Sequence, residues 1–231
     1  RKIGELGEGP GEYIKIRDLT YNRDTDELLV LCTDQMKVIY FNLEGKFLKE
    51  NRITQIGQYI EWTPNGIYLY SDYPNNEDEI NYLYVLDNNC KVKKSMKPYF
   101  KIPPYTMATA GGINTSGSEI LFNPPLNDTI EVINQRNKVI RKWIINFGNS
   151  KLPESVKNDD VGFLSKGFTY AYLENKIFNI NNSLLAFNFV YKSRISNAVY
   201  DTKYNRLYSN HNRADSSLNL WSLIKYPVLA N

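Results

Sequence analysis

Carboxylates and amides, rather than histidines or thiols, are the groups in this 231-residue chain that could do chemistry. His211, in Ser209-Asn210-His211-Asn212, is the sole histidine, which excludes a histidine-based zinc site and allows a Ser-His-Asp triad only if His211 supplies it alone. There is no Gly-x-Ser-x-Gly elbow. Cys32 and Cys90 cannot build a disulfide framework, and neither has neighbours at metal-ligand spacing. Asp24, Asp26 and Glu27 open like a calcium loop, but the required Gly and distal Glu are absent, so the stretch reads as a polar hairpin turn. Asn76-Glu77-Asp78-Glu79, in an extended loop, is the better place for a cation, and calcium is the one cofactor left open. Glu12, Asp34 and Asp72 could converge on a common cavity, and a carboxylate pair can hydrolyse or cleave glycosides, although nothing in the spacing demands it.

Gly7-Glu8-Gly9-Pro10-Gly11-Glu12-Tyr13 could be taken for a phosphate cradle, since alternating glycines expose backbone N–H groups. It lacks the Gly-Lys-Ser/Thr ending and no helical pattern follows. It reads instead as a sharp bend: three glycines permit positive φ, Pro10 fixes one φ, and the chain leaves extended through Glu12 and Tyr13.

The elements that position these groups must be strands. Eighteen Tyr, ten Phe and three Trp, with many Val, Ile and Thr, favour pleated, half-buried surfaces, and 42% hydrophobic residues support a core. A net charge of +3 from 28 basic and 25 acidic groups, scattered along the chain, argues against nucleic acid as a partner. Lys91-Val92-Lys93-Lys94 and Arg141-Lys142 read as the solvated faces of edge strands. No run approaches the roughly 18 apolar residues that cross a bilayer, and no signal-peptide pattern is present. The opening Arg1-Lys2-Ile3-Gly4 reads like the tail of a strand, so the sequence begins partway through a structural unit.

Aligning the strand-like runs exposes a repeat. Each unit has a short apolar run, a polar break, an alternating run, a turn rich in Asp, Asn or Gly, and a basic-apolar strand. The first unit has Leu28 to Leu31, Val38 to Phe41, the turn Asn42-Leu43-Glu44-Gly45, and Lys46-Phe47-Leu48. The second has Ile67 to Tyr70, Tyr82 to Leu86, the turn Asp87-Asn88-Asn89-Cys90, and Lys91-Val92. The third has Ile120 to Phe122, Ile130 to Ile133, the turn Asn134 to Asn137, and Lys138-Val139-Ile140. The fourth has Leu184 to Phe187, Ile195 to Tyr200, the turn Asp201 to Asn205, and Arg206-Leu207-Tyr208. Extended segments at 14–21, 58–63, 106–114 and 168–180 precede these runs as innermost strands.

The equivalent positions Phe41, Val85, Val132 and Val199 lie 44, 47 and 67 residues apart. The first two spacings fit a four-stranded propeller blade, and the excess in the third falls in Gly148 to Gly167, read as a polar loop. The expectation is an all-β chain: one β-propeller domain over 1–231, with antiparallel blades near 14–53, 58–97, 106–147 and 168–210 and no helix. Residues 1–13 and 211–231 would belong to flanking blades.

Ile3-Gly4-x-x-Gly7-x-Gly9-Pro10-Gly11-Glu12-Tyr13, followed by Ile16-Arg17-Asp18, resembles the hallmark turn of the six-bladed, distantly NHL-like β-propeller family of gut Bacteroidetes. The later blades match that family in pattern rather than in letters. The resemblance implies a secreted or lipid-anchored protein at the cell surface or in the periplasm, with the turn crossing between two blades. Six blades at the observed spacing need about 265 residues or more, beyond this chain.

In such a fold, loops entering the first strand of each blade and loops joining its second and third strands rise at one end. They would carry Glu12, Tyr13, Arg17, Asp34, Asp72, Tyr73, Tyr105, Asn123, Tyr191 and Arg194, together with Pro98-Tyr99 and Phe163. Aromatic faces mixed with carboxylates, amides and arginines suit sugars, peptides or other small molecules, and other cell-surface proteins are further candidate partners. The leading expectation is a non-catalytic binding propeller; the alternative is a propeller lyase or glycoside hydrolase working through channel carboxylates.

Overall fold

The computed structural model describes residues 3–71, 81–98, 111–157, 159–180, 183–209, 222–223 and 229–230. The chain divides into two units, Arg1–Ile102 and Pro103–Asn231.

The first unit begins with two short strands, β1 (Glu5–Leu6) and β2 (Glu12–Tyr13), paired in parallel. An antiparallel sheet follows, of β3 (Asp18–Asn22), β4 (Glu27–Cys32), β5 (Lys37–Asn42) and β6 (Phe47–Arg52) in sequential order. A second such sheet contains β7 (Tyr59–Thr63), β8 (Gly66–Tyr70), β9 (Asn81–Leu86) and β10 (Val92–Pro98). Alternation along the middle strands sends Leu29, Leu31, Val38 and Tyr40 to one face, where they join Ile60, Trp62, Leu69 and Tyr84 in a buried cluster. Each large side chain sealed there contributes about 1.5–3 kcal/mol, so truncating Leu31 or Leu69 to Ala would cost about 2–5 kcal/mol.

Two side chains of β3 complete the backbone of β7. Asp18 Oδ2 accepts the Ile60 amide at 2.8 Å, and Thr20 Oγ1 accepts the Trp62 amide at 3.0 Å. The innermost strands of the two sheets are thereby joined without a shared ladder.

In the second unit, β11 (Gly112–Ser116), β12 (Glu119–Asn123), β13 (Thr129–Ile133) and β14 (Val139–Ile144) form one antiparallel meander. Two short helices, α1 (Glu154–Lys157) and α2 (Asp160–Lys166), lead to the next. That sheet holds β15 (Tyr172–Ile180), β16 (Leu184–Tyr191), β17 (Arg194–Asp201) and β18 (Arg206–Ser209). Two short outer strands, β19 (Ser222–Leu223) and β20 (Leu229–Ala230), pair with β18 and β14 respectively. Leu121, Ile130, Val132 and Trp143 pack with Leu173, Leu185, Phe187 and Tyr200 in the core of this unit.

The expected polar loop from Gly148 to Gly167 is helical in part. Leu152 and Phe163 are buried with Leu126, Tyr172 and Val190, and Val156 packs against them. Val156 lies in α1 and Phe163 in α2, whereas Leu152 precedes them, and helices this short are stabilised by tertiary contacts rather than by propensity.

One turn chemistry recurs at the hairpin before each outer strand. Asn42, Asp87 and Asn134 each use Oδ1 to accept the amide four residues on, from Lys46, Lys91 and Lys138, at 2.8, 2.9 and 3.1 Å. The residue before each lysine has positive φ: Gly45 at 82°, Cys90 at 61° and Asn137 at 57°. A β-bulge lies beside each turn. The fourth hairpin varies the device, with Asp201 Oδ1 accepting the Lys203 and Tyr204 amides and Asn205 at φ 52°. An Asx side chain followed by a left-handed residue is therefore the physical content of the repeat.

Candidate functional site

The glycine-rich segment folds back on itself and lies against the first sheet. Glu12 Oε2 accepts the Gly9 amide at 2.9 Å, and its carboxylate occupies the space that side chains at Gly7 and Gly9 would need. Gly11, at φ 75°, packs so closely on Phe47 that an added Cβ would stand 2.6 Å from the ring. The glycines are thus fixed by close approach, at two positions to a carboxylate and at one to an aromatic ring.

Two side chains of the sheet, Lys37 and Glu50, and Gln35 from the turn before β5 pin this segment. Gln35 accepts the Ile14 amide at 2.8 Å and donates to the Gly7 carbonyl at 3.3 Å. Lys37 is buried, bonds Glu50 at 2.9 Å and reaches the Gly9 carbonyl at 3.5 Å. Glu50 also accepts the Gly11 amide at 3.1 Å. Burial pushes the Glu50 carboxyl up, but the Lys37 ammonium and the Gly11 amide outweigh it and hold the group below its ordinary value.

Glu12 is consequently spent on the turn, and Tyr13 on the core. The Tyr13 hydroxyl donates to the Ile3 carbonyl at 3.3 Å, and its ring packs against Val30, Cys32, Ile39 and Phe41. Arg17 and Asp34 are exposed. Arg17 sits where its amide, donating to the Leu31 carbonyl at 2.8 Å, extends the β3 ladder; Asp34 lies in the turn joining β4 to β5. Asp72, Tyr73, Tyr99 and Tyr105 fall outside the described residues, as do the candidate calcium loop at 76–79 and His211.

Within the second unit, Tyr191 and Arg194 are register partners flanking the two-residue turn Lys192-Ser193, whose φ values are 51° and 60°. Both central residues left-handed is the tight hairpin geometry that follows strand twist. Arg194 is exposed, Tyr191 is half-buried, and the Lys192 ammonium lies 5.2 Å from the tyrosine ring centroid. A hydrogen bond with Ser150, assisted by Lys192, holds the Tyr191 phenol below its ordinary value. Asn123, at the end of β12, is 1% exposed, and neither its Nδ2 nor its Oδ1 has a partner. Phe163, within α2, is fully buried and presents no binding surface.

Among the described residues both cysteines are buried and Glu174 is half-buried. Burial pushes the Cys32 thiol up to about 11 and raises Cys90, which lies 3.2 Å from the Tyr40 hydroxyl. Neither is a thiolate nucleophile near neutrality. Burial also raises the Glu174 carboxyl, whose Oε2 is unpartnered. Among the described residues no three His, Cys, Asp or Glu side chains are grouped to hold a metal ion, and no helix is long and apolar enough to cross a membrane. Sequence patterns missed Lys37 and Glu50, lone charges inside strand runs, and Gln35 in the turn between β4 and β5, since none of them carries a motif.

Repeated four-stranded antiparallel meanders, each leading from an innermost strand outward to a polar edge, define the protein as a β-propeller. The chain belongs to the family described as Domain of unknown function (DUF4934), whose model matches residues 1–223. A crystal structure of a Bacteroides fragilis protein inferred to be exported is similar, with TM-score 0.66 and 17% identity over 90% of this chain and 61% of that one. BamB from Moraxella catarrhalis follows at TM-score 0.50 and 9% identity, over 85% of this chain and 53% of that one. At these identities the likeness shows the fold, and the chain spans less than two thirds of either structure. Virginiamycin B lyase from Staphylococcus aureus, at TM-score 0.42 and 14% identity over 92% of this chain and 70% of that one, is too remote to bear on activity. No curated protein matches the chain in sequence.

Proposed function

We propose that the chain is a non-catalytic binding propeller working outside the cytoplasm, at the bacterial surface or in the periplasm, with glycans or peptides as ligands. The observation that carries this reading is the hairpin tip where Tyr191 and Arg194 face each other across Lys192-Ser193. It combines an aromatic ring, two cations and a rigid two-residue turn, the elements that stack on sugars and pair with carboxylates. Arg17 and Asp34 are likewise exposed in the first unit. Glu12 is committed to its own turn, which removes one of the carboxylates that a glycosidase reading would use.

The reading takes the two units as one propeller of the six-bladed, NHL-like kind, secreted or lipid-anchored in a Bacteroidetes cell. The exported B. fragilis relative supports that location. No cofactor is invoked, and calcium would enter only through the loop at 76–79. A glycan and peptide array tests it: hits should be lost on Arg194→Ala or Arg17→Ala with folding intact, and the same ligands should not be turned over. Hits unaffected by both substitutions, or product formation, would overturn it.

A further inference from the structure

The end of the second sheet where β7 begins and β8 stops gathers a cluster of tyrosine rings. Tyr59 and Tyr70 are register partners with ring centroids 5.7 Å apart, and Tyr82, near the start of β9, lies 6.2 Å from Tyr70 with 5° between the ring planes. Tyr70 is fully buried, whereas Tyr59 and Tyr82 are half-buried. The cluster therefore has an anchored centre and two rings that reach solvent, and contacts of this kind hold aromatic surfaces in fixed orientation.

A polar side chain whose oxygen has no partner lies beside them. Gln58 is 5% exposed, and its backbone amide donates to the Tyr70 carbonyl at 2.8 Å, which ties it to the strand carrying that ring. Its side-chain Oε1 is buried and accepts no hydrogen bond. Buried acceptors nearly always meet a donor, so this oxygen favours a donor brought from outside the chain. Two further bonds fix the surroundings. The Ser71 amide donates to the Tyr82 carbonyl at 2.9 Å, and the Thr33 hydroxyl donates to the carbonyl of Gly57, the residue before Gln58. Through the second bond, the turn that carries the exposed Asp34 and the entry to β7 share one end of the first unit.

We propose that Gln58, Tyr59, Tyr70 and Tyr82 form a subsite for one neutral hexose unit of a glycan. The C–H face of the pyranose would lie against the accessible tyrosines, and one of its hydroxyls would donate to Gln58 Oε1. A sugar supplies the apolar face and the donor from a single rigid ring, whereas a peptide draws them from separate, more mobile groups. This subsite rests on the reading of the chain as a binding propeller, and it narrows the ligand of the first unit to a sugar. It uses no residue of the Tyr191–Arg194 hairpin.

The experiment is an amide-resolved NMR titration of the whole chain with the methyl glycosides of glucose, galactose and mannose, and with acetyl-proline-methylamide as the peptide probe. At least one glycoside should shift the Gln58, Tyr59, Ser71 and Tyr82 amides. Gln58→Met, which keeps the side-chain length without the acceptor, and Tyr82→Ala should each weaken that glycoside by about five- to tenfold. In the absence of sugar, Gln58→Met should melt at or above the wild-type temperature, because the oxygen it removes has no partner in the free protein. These amides unmoved by every glycoside, shifts with the proline probe alone, undiminished glycoside binding by Gln58→Met, or a lower melting temperature for that variant without sugar would each overturn the subsite. Array hits lost on Arg194→Ala would then leave the wider reading standing, so the two failures are told apart.

Discussion

The Glu12 carboxylate fills the volume that a side chain on Gly7 would need, and from there accepts the Gly9 amide at 2.9 Å. The spacing of glycine and glutamate in this turn is therefore a packing requirement between the two residues. Gly7→Ala should displace the carboxylate and lose its bond, destabilising by about 1–2 kcal/mol, as should Glu12→Ala. Because both changes remove one interaction, the double variant should cost clearly less than the sum of the two single changes. Urea denaturation of the four proteins measures this coupling; strict additivity would refute the shared-space account.

Lys37 and Glu50 make stability pH-dependent. The folded carboxyl titrates below its unfolded value near 4.3, so the contribution is present above that value and is lost as pH falls through the lower, folded value. The melting temperature should fall as pH drops below about 4.5, and Lys37→Met should shrink that part of the acid sensitivity while lowering stability at pH 7. A profile for Lys37→Met parallel to wild type would exclude the pair as its source.

Glu174 carries the opposite sign. Burial raises its folded carboxyl above the unfolded value, so ionising it costs stability as pH rises from about 4.3 upward. Glu174→Gln should raise the melting temperature at pH 7 to 8, and the gain should vanish near pH 4. An equal or lower melting temperature at pH 8 would contradict this.

The innermost strands offer a backbone test. Thr20→Val keeps the shape at a buried position but leaves the Trp62 amide without its acceptor, a loss of about 1–3 kcal/mol. Native-state hydrogen exchange should show the Trp62 amide among the most accelerated in the variant. Unchanged protection there would mean the amide has another acceptor.

By itself the sequence determined the strands and the turns between them. Runs such as Leu28 to Leu31 and Val38 to Phe41 lie within β4 and β5, and the Asx-led turns before Lys46, Lys91 and Lys138 form as expected, because both rest on local alternation and on side chains bonding their own backbone. Tertiary structure alone decided the packing of Leu152, Val156 and Phe163, whose cluster partners Leu126 and Val190 are distant in sequence. It also decided the commitment of Glu12 to its own turn, the burial of Asn123 and the convergence of Lys37, Glu50 and Gln35 on one loop. An exposed carboxylate and one folded into a glycine turn are written with the same letter. Which of the two is present depends on the atoms that long-range packing brings within 3 Å, and no spacing along the chain encodes them.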